Sequence, residues 1–500
     1  MVPFRTAAVL ASLVLAGVGP ATAQEHSTNP ATRRFEAGPC PFKADEKILA
    51  QVRCGYLIVP ENRARPDGRQ LRLAVAIARS ANATPRPDPV VLLSGGPGDS
   101  FVQNTARLIN VVMAGLRADR DLIIWDQRGT GFSEPVFCPE LNARWREIGA
   151  RGLERSARVS ERRQALAHCR ETMLRQGVDL SQYNTVVSAH DLDDLRRVLG
   201  VAQWNLVAIS YGTRLALEAM RLAPQGIRSA VLTSPLPPNQ PIDVRSAFAD
   251  VLARLSRACA AQPDCNAAYP ETEQSLWAAV RELDQKPVVR RSPDGTQEAV
   301  INGNQLVQGV MEATRSRSSL ALVPMMVGEF RRRNQTVIDT LARQLSDASA
   351  PRVSRVSRGL NLTVRCHDFS GQKIQSTEQT VTSAIPELAD FERDESLCDA
   401  LHPFRAAPWS AAVSDIPTLI FTGEFDVQTH RSYGAAAARS LRNSQVVEIA
   451  GAGHGAGMGD ECTRSIAREF LANPLATVDA RCLSTLPSLR FVTDVKAIAK

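Results

Sequence analysis

A serine in the middle of the chain has the surroundings of an activated nucleophile. Ser210 follows the apolar run Trp204–Ile209 and precedes a segment with helical periodicity, Tyr211–Leu222. A turn from a strand into a helix holds a serine in a strained conformation with its hydroxyl exposed, and it requires small residues two positions before and after. Gly212 meets that requirement, and Ala208 meets it with one extra methyl group. The pattern predicts that Ser210 attacks a carbonyl carbon and forms an acyl-enzyme.

A nucleophilic serine needs a general base and a carboxylate that orients the base, and both are found near the C-terminus. Asp426 follows the apolar run Ile416–Thr422, and His454 lies in a glycine-rich segment after the run Gln445–Ile449. The carboxyl ends of parallel strands meet at one edge of a sheet, so these side chains are expected beside Ser210. The order serine, acid, histidine along the chain also fits this arrangement. We therefore predict a triad of Ser210, Asp426 and His454.

Other residues compete for the acid and base roles. Glu424 is close enough to Asp426 to remain a rival, whereas Asp415 precedes its strand and lies at the opposite end. The remaining histidines lie in the N-terminal tail, before the serine, in the middle of the chain or just after Asp426; they are His26, His168, His190, His367, His402 and His430. None of them follows an apolar strand in a glycine-rich loop, which favours His454.

An acyl transfer also needs donors for the oxyanion that develops on the carbonyl oxygen. The segment Gly95–Gly98 follows the apolar run Pro89–Leu93 and presents backbone N–H groups with no Cβ in the way, and the N–H of Tyr211 is the second donor. No cofactor is expected: the loose dinucleotide fingerprint at 451–456 comes too late to open a βαβ unit. No metal is expected either, because the chain has no C-x-x-C pair.

The elements that position these residues alternate between short apolar strands and helices. Such alternation is typical of an α/β fold with a mostly parallel sheet and helices on both faces. Between the strand at Ile227–Thr233 and the strand at Ile416–Thr422 the pattern becomes helical, which predicts an inserted helical cap. The predicted organisation is a signal peptide over 1–23, a core over 24–234, the cap over 235–408 and the rest of the core over 409–500.

Composition excludes several classes of protein. Of 500 residues, 44% are hydrophobic and 22% charged, with 30 glycines and 30 prolines, which excludes disordered, fibrous and polytopic membrane proteins. The net charge of +7 does not indicate a nucleic-acid partner, because no basic patch interleaved with aromatic residues and no nucleic-acid-binding motif accompanies it. The expected partner is a peptide or a small ester or amide substrate.

The first residues predict export. Ala7–Gly17 is an apolar run with the length found in signal peptides, too short to span a bilayer, and Ala21–Ala23 supplies the small residues that signal peptidase requires. We expect cleavage near Ala23 and a periplasmic or secreted chain. A lipid anchor is not expected because the first cysteine is Cys40, and no other apolar run approaches about 18 residues.

Export changes how the ten cysteines are interpreted, because cysteines pair in an oxidising compartment. Sequence alone does not determine the connectivity. Pairing nearest neighbours gives five local loops: Cys40/Cys54, Cys138/Cys169, Cys259/Cys265, Cys366/Cys398 and Cys462/Cys482.

Five motifs in the order GGPG, DQRGTGFS, AISYGT, a G-x-x-D turn and GAGHG resemble those of one family. The chain is similar, from about Cys54 to Cys482, to the exported tripeptidyl-aminopeptidase-like branch of the proline-iminopeptidase group of α/β-hydrolases. The resemblance implies the α/β-hydrolase fold, Ser210, Asp426 and His454 as the triad, and Gly96 with Tyr211 as the oxyanion hole. It also implies a helical cap over the site and release of residues from free peptide N-termini.

Substrate identity does not follow from these motifs. Recognition of a free α-amine needs carboxylates in the pocket, and the candidates are Glu218, Asp368 and Glu424. The alternative function is a carboxylesterase or small-amide hydrolase with the same triad. The chain departs from the family at four places, which are Ser94 for a common His, Ala208 for Gly, Thr233–Pro235 for a Leu-Asp-Gly type of turn and Thr429–His430 for Thr-Pro.

Overall fold

The computed structural model of the chain describes residues 33–112, 114–291, 297–342, 356–369, 385–390, 394–401, 410–457 and 459–498. The predicted signal peptide over 1–23 lies outside the described residues. Among the described helices, none has both the length and the apolar character needed to cross a bilayer.

The strands, in chain order, are β1 (Arg34–Ala37), β2 (Val52–Pro60), β3 (Gln70–Ala78), β4 (Val90–Leu93), β5 (Leu122–Trp125), β6 (Trp204–Ile209), β7 (Ile227–Thr233), β8 (Val288–Arg291), β9 (Gln297–Ile301), β10 (Thr418–Gly423) and β11 (Ser444–Ile449). Within the described ranges, nine of them form one sheet in the order β1-β2-β3-β5-β4-β6-β7-β10-β11. From β5 to β11 the neighbours in this sheet run parallel, and β1, β2 and β3 extend it in antiparallel pairs. The predicted mostly parallel sheet is confirmed.

The α-helices, in chain order, are α1 (Glu46–Leu49), α2 (Thr105–Arg107), α3 (Pro139–Ala150), α4 (Arg155–Arg175), α5 (Thr185–Val198), α6 (Tyr211–Leu222), α7 (Val244–Ala260), α8 (Pro263–Ala268), α9 (Thr272–Gln285), α10 (Gly303–Ala313), α11 (Arg317–Leu320), α12 (Val323–Arg331), α13 (Arg358–Phe369), α14 (Ser432–Ala438) and α15 (Glu461–Ala472). Helices cover both faces of the sheet. One face packs on α3 to α6 and α13, and the other packs on α15.

The segment between β7 and β10 contains α7 to α13. Side chains of α7, α9, α10 and α12 bury an apolar cluster of their own, which includes Phe248, Trp277 and Val310. Helix α13 differs, because its side chains join the apolar cluster on the sheet. The same segment carries the antiparallel hairpin of β8 and β9, which its helical pattern did not predict. The cap boundaries at 235 and 408 stay a prediction.

All ten cysteines lie in the described residues and are paired. The disulfides are Cys40–Cys54, Cys138–Cys169, Cys259–Cys265, Cys366–Cys398 and Cys462–Cys482, which are the nearest-neighbour pairs. Each closes a loop within one region of the chain. In the chain-entropy account, loops of such lengths stabilise the folded state by about 2–4 kcal/mol each.

A buried ion pair ties α5 to the turn after β5. The Arg128 guanidinium donates to both carboxylate oxygens of Asp191 at 2.7 and 2.9 Å, and Arg63 donates to Asp191 at 2.6 Å. Burial disfavours the charge on Asp191, but the attraction of Arg128 and Arg63 outweighs it and holds the pKa of that carboxyl below its usual value. The carboxylate is therefore ionised in the folded protein at neutral pH.

Replacing Asp191 with alanine is expected to lower the free energy of unfolding by about 3–5 kcal/mol, because it leaves the Arg128 charge buried without its partner. Urea denaturation at pH 7 measures the loss. The loss is expected to shrink as the pH falls below the usual carboxyl pKa, because a lowered pKa stabilises the folded state only while the carboxyl is ionised.

The control is Glu171→Ala. Glu171 lies on α4 and pairs with Arg175 at 4.0 Å, and both side chains are exposed. A surface pair of this kind contributes about 1 kcal/mol or less. Equal losses for the two variants would contradict the role given to the buried pair.

Candidate active site

Ser210 lies at the sharp turn between β6 and α6. Its backbone has φ 57° and ψ −126°, a conformation that costs a non-glycine residue about 1–3 kcal/mol. The turn brings the next helix against the loop after β4: a Cβ at Gly212 would collide with the carbonyls of Leu93 and Ser94. Gly95 faces the serine, because a Cβ there would lie 3.1 Å from the Ser210 Cβ. The strained turn is thus held between β4, β6 and α6.

Asp426 and His454 meet at the same edge of the sheet. The Nδ1 atom of His454 lies 3.0 Å from each carboxylate oxygen of Asp426, which is itself 1% exposed. Asp426 follows β10 and His454 follows β11, as the sequence predicted. The histidine loop also reaches the serine turn, because a Cβ at Gly455 would lie 3.2 Å from the Cδ1 atom of Ile209.

Two hydroxyl residues that the sequence showed only as departures from the family hold this arrangement. Thr429 donates to Asp426 from its amide and from its hydroxyl, both at 2.9 Å, and its Oγ1 lies 3.3 Å from the His454 Nδ1 atom. Ser234, at φ 53° after β7, accepts the amide of Gly455 at 2.9 Å. Because β7 lies between β6 and β10 in the sheet, Ser234 stands between the serine turn and the acid loop.

The acid is ionised in its buried position. Burial disfavours the charge, but the attraction of His454 and the hydrogen bonds from His454, Thr429 and Ser234 outweigh it and hold the pKa of Asp426 below its usual value. A neighbouring anion favours the tautomer of His454 that carries its proton on Nδ1. The other ring nitrogen, Nε2, is then unprotonated and able to accept a proton.

We call the segment Gly95–Ser100 the oxyanion loop, after the role predicted for the Gly96 amide. Within the described residues, neither the amide of Gly96 nor that of Tyr211 donates to a protein acceptor. The amide of Tyr211 is free because it opens α6, where the first N–H groups have no partner inside the helix. Gly96 has φ 105°, a conformation that favours glycine. The two predicted donors are thus available to a ligand.

The buried carboxylate of Asp126 holds the end of the oxyanion loop. It accepts the Ser100 hydroxyl at 2.7 Å and the amides of Val102 and Phe132, each at 3.1 Å. Burial raises the pKa of Asp126 to about 7, against the opposing effect of these hydrogen bonds. Asp126 belongs to the DQRGTGFS motif, which gives this motif a role in positioning the loop.

Comparison with known families fits this architecture. Residues 88–266 match a family model described as alpha/beta hydrolase fold, and residues 390–482 match one described as TAP-like protein. The first match contains the oxyanion loop and Ser210, and the second contains Asp426 and His454. The chain has the α/β-hydrolase fold.

Individual relatives match parts of the chain. A protein named tripeptidyl aminopeptidase from Streptomyces lividans is 32% identical over 39% of this chain, and the match spans only 38% of that relative's length. A protein named serine protease Hip1 from Mycobacterium tuberculosis is 27% identical over 44% of each chain. A putative hydrolase, YuaR, from Escherichia coli is 25% identical over 70% of each chain.

The three carboxylates predicted to bind a substrate amine lie in different surroundings. Glu218 pairs with Arg221 at 2.6 Å, two turns along α6 and roughly 12 Å from Ser210. Asp368, on α13, is fully buried and accepts the hydroxyl and amide of Thr185. Glu424 is half-buried and accepts the amide of Gly451 at 2.8 Å, in the turn before His454. Of the three, Glu424 directly contacts a loop of the candidate site.

Asp368 reaches the serine turn indirectly. The Thr185 hydroxyl donates to Asp368. Its oxygen lies 2.8 Å from the phenolic oxygen of Tyr211, the residue after the serine. This chain of contacts connects α13 to the beginning of α6. Among the described residues, no group of three or more His, Cys, Asp or Glu side chains is placed to hold a metal ion.

Proposed function

We propose that the chain is a serine hydrolase in which Ser210, His454 and Asp426 form the catalytic triad. The Ser210 Oγ attacks a substrate carbonyl, His454 accepts the serine proton and returns it to the leaving group, and Asp426 fixes the histidine tautomer. The amides of Gly96 and Tyr211 stabilise the oxyanion. Water then attacks the acyl-enzyme by the same route. The observation that carries this proposal is the Asp426–His454 pair beside the strained Ser210 turn.

The proposed substrate is a peptide with a free N-terminus, and the reaction is that of an exopeptidase of the tripeptidyl aminopeptidase type. Support comes from the match to the TAP-like family model and from the relatives named tripeptidyl aminopeptidase. The second candidate is a carboxylesterase or small-amide hydrolase. It is favoured by the surroundings of two predicted carboxylates, since the charge of Glu218 is paired with Arg221 and Asp368 is fully buried.

Export is part of the proposal. Five disulfides are typical of proteins that fold in an oxidising compartment, such as the bacterial periplasm or the exterior of the cell. The predicted signal peptide over 1–23 supplies the route. N-terminal sequencing of the mature protein is expected to begin near Gln24.

One comparison of substrates tests the exopeptidase assignment. Alanyl-alanyl-prolyl-p-nitroanilide with a free N-terminus is expected to react about 10- to 100-fold faster, measured as kcat/KM, than its N-acetylated form, because a charged hydrogen bond contributes about 1.5–3 kcal/mol. The blank is the Ser210→Ala variant. Equal rates for the free and blocked peptides would contradict recognition of the amine. Turnover of p-nitrophenyl acetate without turnover of either anilide would favour the esterase.

A further inference from the structure

The segment at the beginning of α13 contacts the oxyanion loop directly. The amide of Ser357 donates to the carbonyl of Gly98 at 2.9 Å, and the Nδ2 atom of Asn361 donates to the carbonyl of Pro97 at 2.9 Å. Val356 pairs with Asp99 as an antiparallel bridge. Residues of the insertion between β7 and β10 therefore contact the loop that carries the predicted oxyanion donor.

Among the described residues, Asn361 supplies the side-chain hydrogen bond in this contact. It is 5% exposed, and its bond to Pro97 is buried. A buried carbonyl that loses its donor pays the full cost of desolvation, about 1–3 kcal/mol, which disfavours the present direction of the Pro97 carbonyl. Packing leaves little room on this side, because a Cβ at Gly98 would lie 2.9 Å from the Ser357 carbonyl oxygen.

The two ends of the loop are held by different residues. Asp126 binds Ser100 and the amide of Val102, beyond the glycines. Among the described residues, the hydrogen bonds from outside the loop to the carbonyls of Pro97 and Gly98 come from Asn361 and Ser357. The Pro97 carbonyl lies within the turn that the Asp99 amide closes on the Gly95 carbonyl at 3.4 Å, and the Gly95 carbonyl shares its peptide plane with the Gly96 amide.

We propose that Asn361 is a positioning residue for the oxyanion site and that it acts by holding the Pro97 carbonyl and thereby aiming the Gly96 amide. The inference rests on the proposed function, because it assumes that the Gly96 amide stabilises an oxyanion. Under this proposal, the insertion between β7 and β10 helps to position an oxyanion donor as well as covering the site. Docking of α13 is then required for full activity toward any substrate.

The test is Asn361→Asp, which keeps the shape of the side chain and replaces the Nδ2 donor with an oxygen. We expect kcat on p-nitrophenyl acetate or the tripeptide anilide to fall about 10- to 100-fold with KM changed less than about twofold, because a misplacement of 1 Å costs about 100-fold in rate. Asn361→Ala, which removes the donor without adding an acceptor, is expected to give the same fall in kcat with the same small change in KM. Melting temperatures show which variants are folded.

An inhibitor pair separates positioning from general damage. With alanyl-alanyl-prolinal, Ser210 Oγ bonds to the aldehyde carbon, the carbonyl electron pair moves to the oxygen, and the serine proton passes to His454. The matching alcohol, alanyl-alanyl-prolinol, forms no such adduct. Asn361→Asp is expected to weaken binding of the aldehyde about tenfold or more and to leave binding of the alcohol unchanged. Equal weakening of the two inhibitors would overturn the proposal.

The matched control is Thr363→Val, on the same helix. Thr363 is also buried, and among the described residues its hydroxyl donates to the carbonyl of Gly359 on the same helix. Its kcat is expected to be unchanged within about twofold, in the range of a substitution away from the site. A fall equal to that of Asn361→Asp would show that loosening α13 is sufficient and would overturn the role of the Asn361 donor.

Hydrogen exchange separates this inference from the proposed function. The amides of residues 94–101 are expected to exchange faster in Asn361→Asp than in the wild type, and unchanged exchange would overturn the contact whatever the activity. Faster exchange with unchanged kcat would overturn its role in catalysis. A wild-type protein that reacts with neither a fluorophosphonate nor any of the substrates would instead contradict the proposed function.

Discussion

Replacing Ser210 with alanine is expected to lower kcat on the tripeptide anilide and on p-nitrophenyl acetate by about 10⁴- to 10⁶-fold, the effect of removing a triad nucleophile. The acyl-enzyme cannot form without the Oγ atom, and neither His454 nor the amides replace it. Substrate affinity is expected to be retained, because the donors and the loops around the site remain. Initial rates with purified protein and labelling by a fluorophosphonate measure the loss.

The control for this variant is Ser484→Ala. Ser484 is exposed, and its hydroxyl donates to the carbonyl of Arg481 near the C-terminus, in a short helical segment. It is expected to keep full activity and full labelling. Labelling of Ser210→Ala at another serine, with activity within tenfold of the wild type, would disprove the proposed nucleophile.

Replacing Asp426 with asparagine is expected to lower kcat by about 10⁴-fold, because the amide favours the wrong tautomer of the histidine. In the wild type the carboxylate is ionised and holds the proton of His454 on Nδ1. An asparagine Nδ2 donor directs that proton to Nε2, where it faces the serine and blocks proton transfer. KM is expected to change little, so the loss is measured by comparing kcat/KM of the variant with kcat/KM of the wild type.

The matched control for this variant is Asp415→Asn, at the opposite end of β10. Asp415 is exposed and its carboxylate lies 3.3 Å from Arg442. It is expected to leave kcat unchanged, because it lies at the edge of the sheet remote from the triad. A large fall for Asp415→Asn together with a small one for Asp426→Asn would reverse the assignment of the acid. Glu424→Gln then tests the remaining rival.

Strands buried on both faces were the part of the fold that sequence predicted best. The bounds predicted for Trp204–Ile209 and Ile227–Thr233 are those of β6 and β7. A strand covered by helices on both sides is apolar at most positions, which gives a nearly continuous signal. The hairpin of β8 and β9 has no such signal: its strands are short and carry exposed or half-buried polar residues.

Some residues of the candidate site were predictable from the sequence and others were not. Ser210, Asp426 and His454 follow apolar strands, so topology alone predicted that they lie at one edge. Thr429, Ser234 and Asn361 were not predicted in their roles, because threonine, serine and asparagine are common in turns and helix starts and gain their partners only in the folded chain. Asn361 and Pro97 are 264 residues apart in sequence. The ion pair of Glu218, in contrast, is predictable from sequence, because Arg221 lies three residues later on the same helix.

The direct pairing of β7 with β10 joins a strand synthesised before the insertion to one synthesised after it. The serine turn involves β7 as well as β6 and α6, because the Ser210 amide donates to the Thr233 carbonyl. The predicted acid and histidine follow strands that are synthesised after the whole insertion, and pairing them requires a long loop to close first. Under the proposed function, the unfinished chain therefore carries Ser210 without its base, and hydrolysis begins only when the last strands dock.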